Sequence, residues 1–127
     1  MYEKRGNVAY NTLRMFIEVD KKLSIKPDLR LRELAQYFNC SHPTIEKAVQ
    51  KHSSLSFRAY QAKKLLEKGS ALLKQGYSTK QIAYELGYKW PEDFSRFVRR
   101  SVGCSLREFI SAPRESQEAK FKKCHHK

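Results

Sequence analysis

Arg96, Arg99 and Arg100 fall within five residues of one another, and 49 positions earlier Lys47, Gln50 and Lys51 stand at the same spacing. Pro43, Glu46, Lys89, Trp90, Glu92 and Ser95 lie in the same two stretches. A guanidinium offers a planar fork of donors, a carboxamide offers a donor and an acceptor, and a carboxylate accepts. Such groups suit hydrogen bonding to flat polar edges and to anionic oxygens, not bond breaking. Catalytic spacing is missing: no Ser/His/Asp or paired-carboxylate arrangement stands out. A cysteine nucleophile among Cys40, Cys104 and Cys124 would need a nearby base. The wide, odd set of cysteines has no CxxC or CxxH pairing, so neither a disulfide framework nor a structural zinc site is expected. Cys40 reads as a small packing residue, His42 and His52 as surface or phosphate-facing side chains. Cys124-His125-His126 are adjacent ligands in a polar tail, a poor basis for a metal site. No enzyme activity, cofactor or metal is expected.

The charge agrees with an anionic partner. Twenty-six Lys and Arg against thirteen Asp and Glu give +13, which fits nucleic acid first and an acidic membrane surface second. The basic residues are interleaved with core residues along the whole chain, which disfavours the membrane surface. No signal peptide or membrane span is visible, so a cytoplasmic location is expected. With 127 residues, 40% of them hydrophobic, the chain can bury the core of one domain or two small lobes.

Two copies of one unit must position the polar residues. Ser105, Arg107 and Phe109 echo Ser56, Arg58 and Tyr60, and the echo extends backwards. RELAQYFNCS (32–41) lies over KQIAYELGYK (80–89); after one extra residue, HPTIEKAVQK (42–51) lies over WPEDFSRFVRR (90–100). Each copy reads as helix, tight turn, helix, over about 31–52 and about 79–102. Leu31, Leu34, Ala35 and Phe38, and then Ile82, Ala83 and Leu86, recur at helical spacing. Asn39 and Gly87 hold the turn, where a left-handed residue ends a helix. Ser41 with Pro43, and Trp90 with Pro91, open the second helices. Ser105 and Glu108 form a capping box, and Ser56 caps the equivalent helix without its Glu. A linker helix is predicted over about 57–75, with a stripe of Tyr60, Leu65, Leu72 and Leu73. Gly69 is there either a weak point or a close-packing site. Tyr10, Leu13, Met15, Phe16 and Ile17 predict an amphipathic N-terminal helix, and 113–127 reads as a basic, flexible tail.

A helix-turn-helix lays its second helix across the surface, where it can enter the major groove of DNA. On the helical wheel Ile45, Ala48 and Val49 face inward and leave Pro43, Glu46, Lys47 and Gln50 outward. In the second copy Phe94, Phe97 and Val98 face inward and leave Glu92, Ser95, Arg96 and Arg99 outward. Arg96 or Lys47 could reach guanine, Gln50 adenine, and Glu46 or Glu92 the cytosine amino group. Lys51, Lys89, Arg99 and Arg100 read as phosphate contacts. Other readings stay open. Glu92 and Asp93 also suit a helix N-terminus, Lys47 also suits a phosphate, and Trp90 could pack on a sugar or thymine methyl or sit in the core.

The stretch from about Leu29 to Phe109 resembles the DNA-binding domain of AraC/XylS-type bacterial transcription regulators. LRELA, NCS and IEKAV carry the first half, and QIAYELGY followed by FSRFVRRSVGCSLREF carries the more specific second half. The resemblance implies an all-α fold of two helix-turn-helix lobes joined by a linker helix, in a domain spanning 1–112. It further implies a monomeric, sequence-specific regulator of double-stranded DNA. Such a regulator more often activates than represses, through contact with RNA polymerase. The linker, ~27 Å long at ~1.5 Å per residue, would hold two readers near the ~34 Å repeat of the major groove. Unlike readers predict a non-palindromic site. Phe57 and Leu106 stand where the family usually has Pro, Val49 and Val98 where it has Phe, and Leu65 where it has Arg; the loop at Gly76 is one residue short and Thr79 replaces an apolar residue. No sensor domain fits before Leu29. The chain is then a short stand-alone regulator or an excised domain, the initial Met and complete first helix favouring the former. The alternatives are a sequence-independent basic nucleic-acid binder and an RNA polymerase-binding adaptor using Tyr84, Tyr88 and Trp90.

Overall fold

A computed structural model describes residues 11–125, and every regular element among them is an α-helix, eight in all. The chain divides into two compact units, Met1–Lys64 and Leu65–Lys127.

In the first unit Asn11 opens α1 (Thr12–Ile25), its carboxamide accepting from the Arg14 N–H at 3.0 Å. Met15, Val19 and Leu23, spaced by four, form the buried stripe of α1. Leu13 and Ile17 lie off that stripe and are exposed, against the expectation that both belong to it; Tyr10 lies outside the described residues. Helix α2 (Leu31–Phe38) ends at Asn39, whose φ of 53° is left-handed, and the Cys40 N–H closes the turn on Ala35 O at 3.0 Å. Ser41 then caps α3 (His42–Ser53) through the Thr44 N–H, with Pro43 in the first turn. Helix α4 (Phe57–Lys74) starts beneath Ser56, which accepts from the Ala59 N–H at 3.1 Å. The core joins Met15, Val19 and Leu23 to Leu34, Ile45, Ala48, Val49, Phe57 and Tyr60. Phe57, where a proline was the family expectation, is itself a core residue.

One polar clamp fastens α1 to α4. The Tyr60 hydroxyl donates to Asp20, and Lys64 Nζ lies 2.8 Å from the same carboxylate. Gln61 donates its amide to Pro27 O at 2.9 Å and to Leu29 O, tying down the loop after α1. Partial burial works to raise the Asp20 pKa, but the bonds from Lys64 and Tyr60 and the charges of Lys64 and Lys63 outweigh it. The carboxyl is held below its ordinary 3.8.

The second unit repeats the plan. Ser78 and Gln81 cap each other's backbone at 3.1 and 2.9 Å to open α5 (Thr79–Glu85). Gly87, at φ 93°, makes the turn, and the Tyr88 N–H closes on Ala83 O at 2.9 Å, as Cys40 does on Ala35. Helix α6 (Pro91–Val102) follows from Trp90, and the Ser105–Glu108 box opens α7 (Leu106–Ser111). Gly69 of α4 is a close-packing site: a Cβ there would lie 3.4 Å from Phe94 Cζ, 3.6 Å from Ile82 and 3.7 Å from Leu106. Leu106, also at a familial proline position, is buried.

Within the stretch 113–127, expected to be a flexible tail, the structure has a helix, α8 (Arg114–His125); 126–127 lie outside the described residues. This helix packs on α6. Phe121 is buried at 9% exposure, the His125 ring stacks on it at 4.2 Å, and Gln117 donates to Ala112 O at 2.9 Å. One large apolar side chain and one backbone tie are enough to dock a helix whose other residues are polar or small.

Phe121→Ala is expected to cost about 2–3 kcal/mol in denaturant unfolding and to speed amide exchange over 114–125. Asp20→Asn should cost about 1 kcal/mol at neutral pH, discounted because the carboxylate is partly solvated. Because the folded pKa of Asp20 is depressed, its contribution is present above 3.8 and lost as pH falls through the lower folded value. Stability of the wild type should therefore fall more steeply than that of the variant below that pH, as urea titrations in acid would show.

Candidate nucleic-acid interface

Two helices, α3 and α6, present the residues singled out by the sequence. Each is anchored by one apolar face. Ile45, Ala48 and Val49 are fully buried on α3, and Phe94, Val98 and Val102 are buried on α6. Phe94 sits among Tyr88 (5.4 Å between ring centroids), Phe97 (6.3 Å) and the Gly69 backbone. With these faces fixed, a 3.6-residue period sends the intervening positions outward. Pro43, Glu46, Lys47, Gln50 and Lys51 are all exposed on α3, and Glu92, Ser95, Arg96, Arg99 and Arg100 on α6. Lys89 and Trp90, immediately before α6, are also exposed. The structure brings the first five together on one lobe and the other seven together on the second.

Trp90 is settled by its environment. It is 57% exposed, caps α6 only through its extended backbone, and carries Lys89 Nζ 6.0 Å from its ring centroid. It is not a core aromatic. Arg96 pairs with Asp93 one turn earlier at 3.3 Å, and both groups remain in solvent, so the pair restrains the guanidinium without sequestering it. His52, by contrast, is not free for phosphate: its Nε2 lies 3.0 Å from Thr12 Oγ1 and its ring 5.8 Å from Phe16. It belongs to the packing of α1 on α3. Tyr88 likewise packs on Phe94 and Phe97, whereas Tyr84 and Trp90 are exposed, as is Tyr77 before α5.

An open hollow flanks each helix. Beside α3, about 560 Å³ is bounded by Lys47, Gln50 and Lys51 and reaches the Ser56 cap of α4. Beside α6, about 190 Å³ is bounded by Ser95 and Arg99 and reaches Ser105 and Arg107 at the start of α7. The two caps are equivalent in the repeat. Arg107 was missed as a surface residue by the sequence reading, although its echo of Arg58 was visible.

Cys40 packs half-buried against the first core, where desolvation raises its pKa and disfavours the thiolate. Among the described residues no group of three or more His, Cys, Asp or Glu is placed to hold a metal. No described helix is long and apolar enough to cross a membrane.

Over residues 34–112, well over half of the chain, the sequence matches the family model of a helix-turn-helix domain of the AraC type. The chain belongs to the AraC/XylS family. Among curated proteins none matches it. As a member of the AraC/XylS family it is a DNA-binding transcription regulator, and the family is not one of enzymes. The match begins at Leu34 and ends at Ala112, leaving α1 and α8 outside it.

Since Trp90 contributes little to any core, Trp90→Ala should leave thermal stability within about 0.5 kcal/mol of wild type. A thermal melt showing a larger loss would return Trp90 to a packing role.

Proposed function

We propose that the protein binds double-stranded DNA sequence-specifically, as a monomer, by placing α3 and α6 in successive major-groove segments of a non-palindromic site. In this reading Arg96 takes guanine, Gln50 takes adenine, Lys47 takes guanine or a phosphate, and Glu46 and Glu92 accept from cytosine. Lys51, Lys89, Arg99 and Arg100 hold phosphates, and Pro43, Trp90 and Ser95 make sugar or methyl contacts. The observation that carries the reading is that both helices of a DNA-binding family fold are anchored by apolar faces and carry unlike polar side chains at equivalent outward positions. Shape-blind binding to a polyanion needs no such paired display. The proposed output is activation of transcription through contact with RNA polymerase. The exposed pair Tyr84 and Trp90 favours a protein-contacting surface on the second lobe as a second reading.

Selection from random duplexes at near-physiological salt tests this directly. An asymmetric motif of two blocks about one helical turn apart is expected; tight binding to a pool that stays random would overturn the reading. Arg96→Ala should cost about 1–3 kcal/mol on the selected site and relax preference at one base pair. Arg100→Ala should weaken all sequences alike and lower the slope of log affinity against log salt by about one. Tight binding to RNA polymerase that survives Arg96→Ala, with no selected DNA motif, would favour the adaptor instead.

A further inference from the structure

Helix α8 lies beyond the matched domain, yet it is docked on the helix that carries Arg96. Its orientation on the second lobe is fixed at three points. Phe121 is buried, Gln117 donates to Ala112 O, and Cys124 Sγ comes within 4.0 Å of where a Cβ on Gly103, the residue that ends α6, would lie. At about 100° of rotation per residue these three residues set the phase of α8: Phe121 is buried, Gln117 and Lys120 are half-buried, and Cys124 and Lys123 are exposed. The charged residues then divide. Glu115, Glu118 and Lys122 fall on one flank of α8, whereas Lys120 and Lys123 fall on the other, with only Ser116 for company and no acid. Glu118 stands four residues before Lys122, a spacing that lets opposite charges offset one another. Lys120 and Lys123 have no such partner on their own helix.

The helix that bears this flank packs on α6, which carries the other basic surface. Glu108, whose carboxylate is committed to the Ser105 backbone at 3.0 Å, feels both Arg99 and Lys120. The Ser105 bonds are the main cause of its lowered pKa, and these two cations add to the shift. Arg99 on α6 and Lys120 on α8 thus both act on the one carboxylate, and Lys123 follows Lys120 by three residues on the same flank of α8. Glu108 offsets part of this charge, but Lys123 is beyond the capping box and is exposed.

We propose that the Lys120–Lys123 flank of α8 is an additional contact surface for the DNA backbone, continuous with the α6 face and reading no bases. This rests on the proposed use of α6 as a DNA reader. The occupant is committed by charge and by continuity: a row of cations prolonging Arg99 and Arg100 fits the phosphates next to the segment held by α6. The contact is sequence-neutral because a lysine ammonium is a point charge without a fork to match a base edge.

Fluorescence anisotropy with duplexes carrying the selected site, and with random-sequence duplex, separates the possibilities. For K120Q/K123Q the salt slope should fall by about two, with affinity roughly tenfold lower on both DNAs and sequence preference unchanged. K123Q alone, at an exposed position that leaves the docking of α8 untouched, should lose about one. K122Q, on the acidic flank, should bind as wild type does. Wild-type slopes in K120Q/K123Q and K123Q overturn the proposal, and so does a lowered melting temperature without a change of slope, which would confine these lysines to the helix dipole. If K122Q lowers the slope as much as K123Q, the flank has no special role and the proposal fails. Failure of the underlying reading looks different: wild type and Arg96→Ala would then bind selected and random DNA equally, while the slope loss in K120Q/K123Q would still establish the α8 contact.

Discussion

A helix can aim side chains at a rigid partner only if its opposite face is held, and in this chain Phe94 shows how narrow that hold is. Its ring lies against Gly69, where an added Cβ would sit 3.4 Å from Phe94 Cζ, and meets Tyr88 and Phe97. From that one seat the phase of α6 follows: Val98 and Val102 go inward, and Ser95, Arg96 and Arg99 go outward. On α3, Ile45, Ala48 and Val49 do the same with smaller side chains, and there α1 supplies Met15, Val19 and Leu23 as the opposing surface. The outward display is thus a by-product of core burial, since a slip of one residue in either helix would rotate every outward group by about 100°.

Much of this was legible in the sequence because the devices that set helix boundaries are local. Ser41, Ser78 and Ser105 accept from the N–H three residues on, as capping demands. The left-handed turns fall at Asn39 and Gly87, and the ends of the second helices at Ser54 and Gly103. The repeat aligns these positions in pairs, and each tolerant polar residue in the first copy has a glycine in the second. The outward faces of α3 and α6 were also legible, because buried positions at helical spacing determine the exposed ones by exclusion.

The rest depended on tertiary contacts that no local pattern records. Helix α8 carries only Phe121 as a large apolar residue, so its periodicity is too weak to signal a helix, and its docking is a matter of what α6 offers. Leu13 and Ile17 have the right chemistry for a core but the wrong phase relative to Met15, Val19 and Leu23. His52 lies next to Lys51, an outward position, yet Thr12 and Phe16 claim its ring. Trp90 could have faced either way until its neighbours were placed. The clamp of Asp20 by Tyr60 and Lys64 spans about forty residues of chain, beyond any motif.

The division between buried and outward faces on α3 and α6 bears on how such a protein can change over generations. Glu46, Lys47 and Gln50 touch no core, and neither do Ser95, Arg96 and Arg99. Replacing any of them leaves the packing of its lobe intact, so the outward set of one lobe can change without disturbing the fold or the display of the other. Divergence can therefore proceed one lobe and one residue at a time, through intermediates that all remain folded. A duplicated unit of this kind need not keep the symmetry with which it began.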